Sequence, residues 1–431
     1  MAKVSYGMGF HVTVRKKPNE TQHKVFGAVM ADRQLNEASR VRTPEQRLLS
    51  IDLLRGLIMI LMALDHTRDY FSNAHFNPLD LDQTTPGLFL TRWITHFCAP
   101  LFILLSGIST ELSLSRSGNK TSQARMLFLR GALLILLELF WVRIFGWDFG
   151  LDQSSTSVGV IWAIGWSMMT LSGLIFLPRR WILAFSLTLI LGHNALDTLS
   201  PERFGHLGWI WQILHTGGHI PLWGQQTFHP YYPLIPWLGV MSLGYVMGPL
   251  FHQGAKTRQR TLMILGVILT AGFLILRGSH GYGDQHDWVA QGPLLRQALS
   301  FLDCSKYPPS LHYLLMTIGL GLLFLVLLDR TLPQRHSVLA TFGEVPLMFY
   351  LLHLPLIHGL AVLWDLSIYG TAIWQFNWPI NPGHLKPPSD HGVPLSGVYL
   401  VTSCVIALLY PVCRRYARLK QKRAHPLLRY L

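Results

Sequence analysis

An all-α, polytopic membrane helix bundle of about ten transmembrane helices, with both termini cytoplasmic, is the fold this sequence predicts. Three observations carry that expectation. Half of the 431 residues are apolar, only 13% are charged, and the mean hydropathy is +0.31. The apolar residues fall in runs of about 15–25, the length that crosses a bilayer, rather than in one-sided stripes. Most of the 36 Lys and Arg sit in segments 1–49, 115–126, 179–180, 252–260, 329–336 and 414–431. The alternate loops hold only Arg68, Arg92, Arg203, Arg296, Lys306 and Lys386. Basic loops stay on the cytoplasmic side, so this asymmetry places both termini there. It also accounts for the net charge of +14 through topology, without a nucleic-acid partner.

Taken in order, residues 1–46 are polar and basic with no apolar core, unlike a signal peptide, and read as a mobile cytoplasmic tail. Met30 offers an alternative start that would leave 1–29 untranslated, and the Asn19-Glu20-Thr21 sequon is silent in the cytoplasm. Residues 47–413 form the transmembrane domain and 414–431 a basic cytoplasmic tail. The predicted spans are 50–67, 93–113, 127–147, 158–177, 181–198, 233–251, 261–277, 310–328, 338–363 and 395–413. Loops 67–92, 199–232, 278–309 and 364–394 are rich in His, Trp, Tyr, Gly and Pro. Such loops suit sugar binding, although aromatics also populate any membrane interface. Segment 207–223 is too short to span and reads as interfacial or re-entrant. The four cysteines, Cys98, Cys304, Cys404 and Cys413, have neither metal-type nor disulfide-framework spacing, and no metal is expected.

The first span carries the most chemistry. It holds Asp52, Arg55, Asp65 and His66, with Asp69 just beyond, and each charge at membrane depth costs about 2.5–3.5 kcal/mol. Arg55 and His66 are eleven residues apart, about three turns plus 20°, so they share one stripe with Met59 and Met62 between them. Roughly 16 Å of axis separates them. Asp52 lies one turn from Arg55 and can pair with it. An anion-binding group at one end and an imidazole at the other make a track for a long, polar-headed cofactor. The alternative is a snorkelling Asp52–Arg55 pair and a helix-end histidine with no chemical role. His75, in the loop that follows, is close enough to fold back beside His66, Asp65 and Asp69. An imidazole oriented by a carboxylate there would take a proton from an attacking hydroxyl or amine.

Other spans add single groups. In the second, Ser106, Gly107 and Ser109 permit close helix approach. In the third, Glu138 lies near mid-membrane, so it must pair with a neighbour such as Arg55 or carry a proton. The ninth contains His353, Pro355 and His358, and the proline frees a backbone carbonyl. His66 and His353 could ligate a haem between helices, although no further pattern supports it. No zinc, phosphate-loop or serine-elbow motif is present.

The stretch Arg47-Leu48-x-Ser50-x-Asp52-x-x-Arg55-Gly56 resembles the opening signature of the heparan-alpha-glucosaminide N-acetyltransferase catalytic domain. Pro100-Leu101-Phe102-Ile103-Leu104-Leu105-Ser106-Gly107 is similar to the second-helix signature of the same family. Ser305-Lys306-Tyr307-Pro308-Pro309-Ser310 with Leu314-Leu315-Met316-Thr317 resembles its bacterial branch. So does Phe342-Gly343-Glu344-Val345-Pro346-Leu347 with Tyr350-Leu351-Leu352-His353. The strongest likeness lies in 47–111, 304–317 and 342–358.

The resemblance implies a bacterial inner-membrane enzyme that moves an acetyl group from cytoplasmic acetyl-CoA to a sugar amine or hydroxyl across the bilayer. Its partners would be membrane lipid, acyl-CoA and a glycan acceptor, and a homodimer is compatible with it. The family's active-site asparagine falls on His66 and its loop histidine is best matched by His75. The Arg55-x₁₀-His66 spacing also resembles membrane sugar O-acyltransferases, in which such a histidine is the base and such an arginine helps hold the donor. On this reading His66, His75, Asp65 and Asp69 are catalytic, while Arg55 and Asp52 hold the acyl-CoA. The rival is a proton-coupled transporter with Asp65, His66, Glu138 and His353 as a relay.

Overall fold

A computed structural model of the chain describes residues 44–148, 155–224, 226–330, 337–376 and 387–422. Residues 1–43, expected as a tail, and 423–431 lie outside it. Each predicted span contains helix. Among the described residues six helices are long and apolar enough to cross a membrane by length and composition, or seven if one bent pair counts as a single span.

Helix α1 (Pro44–Phe71) opens on a proline, which suits the first helical position. Then come α2 (Pro86–Ile94), capped by the Thr85 side chain on Leu88 N–H, and α3 (Cys98–Ser117), which Gly118 ends in the left-handed conformation. Helix α4 (Lys120–Leu136) continues as a π-helix over Leu137–Asp148. Helices α5 (Val160–Leu174), α6 (Arg179–Gly192) and α7 (Gly208–Trp211) follow. The pieces Arg179–Leu196 and Pro201–Thr216 meet at 111°, a broken span or re-entrant loop that covers the predicted span 181–198 and the start of the segment 207–223 read as interfacial or re-entrant. After them come α8 (Leu234–Met247), α9 (Ala255–Gly278), α10 (Leu294–Leu302) and α11 (Leu311–Arg330). The last three are α12 (Val338–Glu344), α13 (Pro346–Tyr369) and α14 (Leu395–Gln421).

Three features refine that reading. The all-α reading omitted a small sheet in which β1 (Ser155–Val158) lies parallel to β3 (Thr227–Pro230), and β2 (Ile220–Pro221) pairs antiparallel with β3. Its Thr, Val, Ile and Phe favour extended backbone, and the flanking aromatics hid the signal. The ninth predicted span, 338–363, is two helices. Pro346 lacks an N–H and drives Val345 out of the helical region, to φ −132°, ψ 49°. The tail assigned to 414–431 begins as helix, because α14 runs on to Gln421.

The bundle is held by backbone-to-backbone crossings at glycine. A Cβ on Gly56 would overlap the Leu339 carbonyl, and one on Gly343 would overlap that of Asp52, so α1 and α12 touch main chain to main chain. Gly107 of α3 and Gly244 of α8 make a second such crossing, the close approach that Ser106-Gly107 led us to expect. These contacts fix α1 at the centre, where Ile51, Leu54, Ile58, Met59 and Ala63 are buried.

Candidate active site

The signature residues of α1 act at its first turns. Ser50 Oγ donates to Asp329 Oδ1 (3.3 Å), and that carboxylate is held by both oxygens to Arg258 Nη2 (2.8 Å each), so the N-terminal end of α1 is tied to α9 and α11. Arg55 Nη1 donates to Asp52 Oδ1 at 3.1 Å, the one-turn pair expected from spacing. Arg55 Nη2 reaches Leu105 O at 3.2 Å and the Ser109 hydroxyl, which anchors the guanidinium to α3.

Two cavities lie along this helix. At the Asp52 end a cavity of about 360 Å³ is lined by Arg55, Arg130 and Lys420 against the carboxylates of Asp52 and Glu344. Ser106, Ser109, Thr110 and Ser113 of α3 add a hydroxyl wall. Three cations facing two carboxylates, with hydroxyls beside them, suit a phosphate-bearing ligand.

At the other end a cavity of about 280 Å³ is lined by Met59, Met62, Asp65, His66 and Asp69, and by groups from far along the chain. The two cavities share Phe102, Ile161, Ile164 and Tyr350, so they abut across a collar of side chains. Arg55 and His66 thus each line one of two adjoining cavities, with Met59 and Met62 on the stripe between them.

The two carboxylates next to His66 divide their work. Asp65 is gripped by Arg92 Nη1 (2.8 and 2.7 Å), Arg68 Nη1 (2.7 Å) and the Thr95 hydroxyl (2.9 Å). Asp69 accepts from Arg68 Nη2 (2.6 Å) and lies 3.5 Å from His66 Nδ1. The imidazole therefore has Asp69, and not Asp65, as its carboxylate neighbour. Nδ1 is the ring nitrogen that faces that carboxylate. The ring also sits 5.2 Å, edge-on, from Trp147 and 5.3 Å from His353. His353 Nδ1 lies against the Tyr350 (2.7 Å) and Phe349 (3.2 Å) carbonyls, so it bears the hydrogen. Those two imidazoles are too close for a haem plane to lie between them.

His75 is placed elsewhere. Asn73 N–H donates to Val393 O (3.0 Å) and Val393 N–H to Phe71 O (2.7 Å), so the loop is clamped to the segment before α14. His75 Nε2 meets the His391 carbonyl at 3.2 Å, and His75 is not among the lining residues of either cavity. His391 in turn bonds Asp365, a buried carboxylate that also accepts from Trp374 and Gln375. Glu138 does not pair with Arg55, which is turned to Asp52 and α3; its Oε1 accepts from Gly159 N–H at 2.5 Å.

Several lining groups were not singled out from sequence: Arg92, Lys306, Tyr231, Tyr232, Tyr307 and Trp147. Arg92 had one local signal, a charge at the mouth of an apolar run. The others come together only through the fold. At the end of β3, Tyr231 stacks on His229 (4.1 Å), whose titration burial and then the nearby His219 ring lower to about 4.

No curated protein matches the chain. A family model described as heparan-alpha-glucosaminide N-acetyltransferase, catalytic, matches residues 47–281. That region contains Asp52, Arg55, Asp65, His66 and Asp69, the collar residues of α3 and α5, and the π-helix, and it ends before the 304–317 and 342–358 segments. The chain belongs to the heparan-alpha-glucosaminide N-acetyltransferase catalytic family, and its apolar helices make it a multi-pass membrane member of that acetyltransferase family.

Proposed function

We propose that the protein transfers an acetyl (acyl) group from cytoplasmic acyl-CoA, with acetyl-CoA as the donor, to an amine or hydroxyl of an extracytoplasmic sugar or glycan. It would sit in a bacterial inner membrane with both termini cytoplasmic, lipid around it and no metal in the reaction. One observation supports this above the rest: two cavities abut along α1, with Arg55, Arg130 and Lys420 lining one and the His66–Asp69 pair, beside Arg92, Arg143 and Lys306, the other.

The Asp52 end takes the phosphates and pantetheine of the donor. Arg55 contacts it there, and Asp52 holds Arg55 in place. The thioester extends past the collar toward His66. His66, oriented by Asp69, removes the proton from the acceptor N–H or O–H as that atom bonds to the thioester carbonyl carbon. The C–S bond then breaks, and the CoA sulfur leaves as thiolate and takes up the proton. The geometry disfavours Asp65 as a member of the relay alternative, since two arginines lock it.

Radiolabelled acetyl-CoA given to inside-out vesicles should label envelope glycans and release CoA. Arg55→Ala should raise KM for acetyl-CoA about tenfold or more, the worth of a charge-assisted contact, with kcat less affected. Flux of a solute without CoA release would sink the transferase reading and favour a transporter.

A further inference from the structure

The π-helix Leu137–Asp148 adds a wall to the His66 cavity that the mechanism above does not use. Long π-helices are rare and concentrate at functional sites. With i→i+5 bonding its turn is wider than that of an α-helix, and Glu138, Arg143 and Trp147 all line the cavity from this one element. The Glu138 side chain is 2% exposed. Its two oxygens have different fates. Oε1 accepts from Gly159 N–H at the start of α5, whereas Oε2 is buried without a hydrogen-bond partner. Arg143 Nε and Ser155 Oγ, on the same cavity, are also buried without partners among the described residues.

A buried polar atom left unpaired is costly, and more so if it is charged. Together Glu138 Oε2, Arg143 Nε and Ser155 Oγ form a cavity wall whose hydrogen-bonding capacity the described residues leave unsatisfied. Resting on the acyl-transfer reading, we infer that Glu138 is the positioning residue for the acceptor. Its Oε2 accepts a hydrogen from an acceptor amine or hydroxyl, while Arg143 Nε–H and the Ser155 hydroxyl bond a neighbouring oxygen. Donors and acceptors on adjacent atoms are the edge of a sugar ring, so the wall selects a polyhydroxylated acceptor over a simple alcohol or water. Glu138 does not take the reacting proton; it orients the ring edge presented to His66.

Glu138→Gln isolates this role, because the amide oxygen still accepts from Gly159 N–H while the other oxygen becomes an NH₂ that cannot accept. The full chain, purified in detergent, is titrated with D-glucosamine and with methyl β-D-glucopyranoside, reading thermal stabilisation and acetyl transfer. The expected result is that one or both sugars stabilise the wild type, and that E138Q raises the apparent Kd and KM for them about 10–100-fold. KM for acetyl-CoA and its stabilising shift should stay unchanged, which shows that the variant is folded. Equal sugar affinity in wild type and E138Q, or an equal loss toward acetyl-CoA, would overturn the assignment. So would a wild type that responds to neither sugar. A wild type that binds sugar through Glu138 yet releases no CoA would keep this subsite and remove acyl transfer instead.

Discussion

Replacing His66 by alanine should lower acyl transfer about 10²–10⁴-fold, the range that a positioned general base supplies. The protein should still insert and bind acetyl-CoA. The side chain lies at the cavity edge with 17% of its surface exposed, and its aromatic neighbours Trp147 and His353 keep their own anchors, so little packing is lost. Transfer is measured by radiolabel from acetyl-CoA in vesicles, and insertion by protease protection. His66→Ala labelling at the wild-type rate would exclude His66 as the base. His75→Ala is the matching control: with His75 held to the His391 carbonyl away from the cavity, its loss should leave labelling near the wild-type rate.

Asp65→Ala should be the more damaging change to the fold. It strands Arg68 and Arg92 in a buried setting with one fewer carboxylate, and breaking a buried pair by removing one partner costs about 3–5 kcal/mol. Asp69→Ala should cost less, because Arg68 retains Asp65. Asp69 is instead the neighbour of His66, so its loss should fall on turnover. Thermal unfolding in detergent, set against kcat, separates the two. The opposite order, a stable but inactive Asp65→Ala and an unfolded Asp69→Ala, would reverse the roles assigned to these carboxylates.

The helical bundle was legible because lipid forces backbone groups to pair within a helix, which leaves length and apolarity as clear marks. The Asp52–Arg55 pair and the Arg55–His66 stripe were legible because both depend only on helical periodicity. What escaped notice required knowledge of neighbours. Spacing could not choose between Asp65 and Asp69 for His66, since the choice is made by Arg92 from α2 and Thr95 just after it. Glu138 stood out as a lone charge, but its bond to Gly159 depends on the start of α5. The split at Val345–Pro346 was available in the sequence from proline geometry. The run of apolar residues across it masked the break.

The collar of Phe102, Ile161, Ile164 and Tyr350 has a bearing on bioenergetics. With bulky, mostly hydrocarbon groups between the two chambers, the collar offers few polar atoms to a proton passing from one to the other. A slender thioester arm has no such need for hydration. On the proposed acyl transfer, such a barrier lets a cell decorate its exterior from an interior metabolite without discharging the gradient that energises the same membrane.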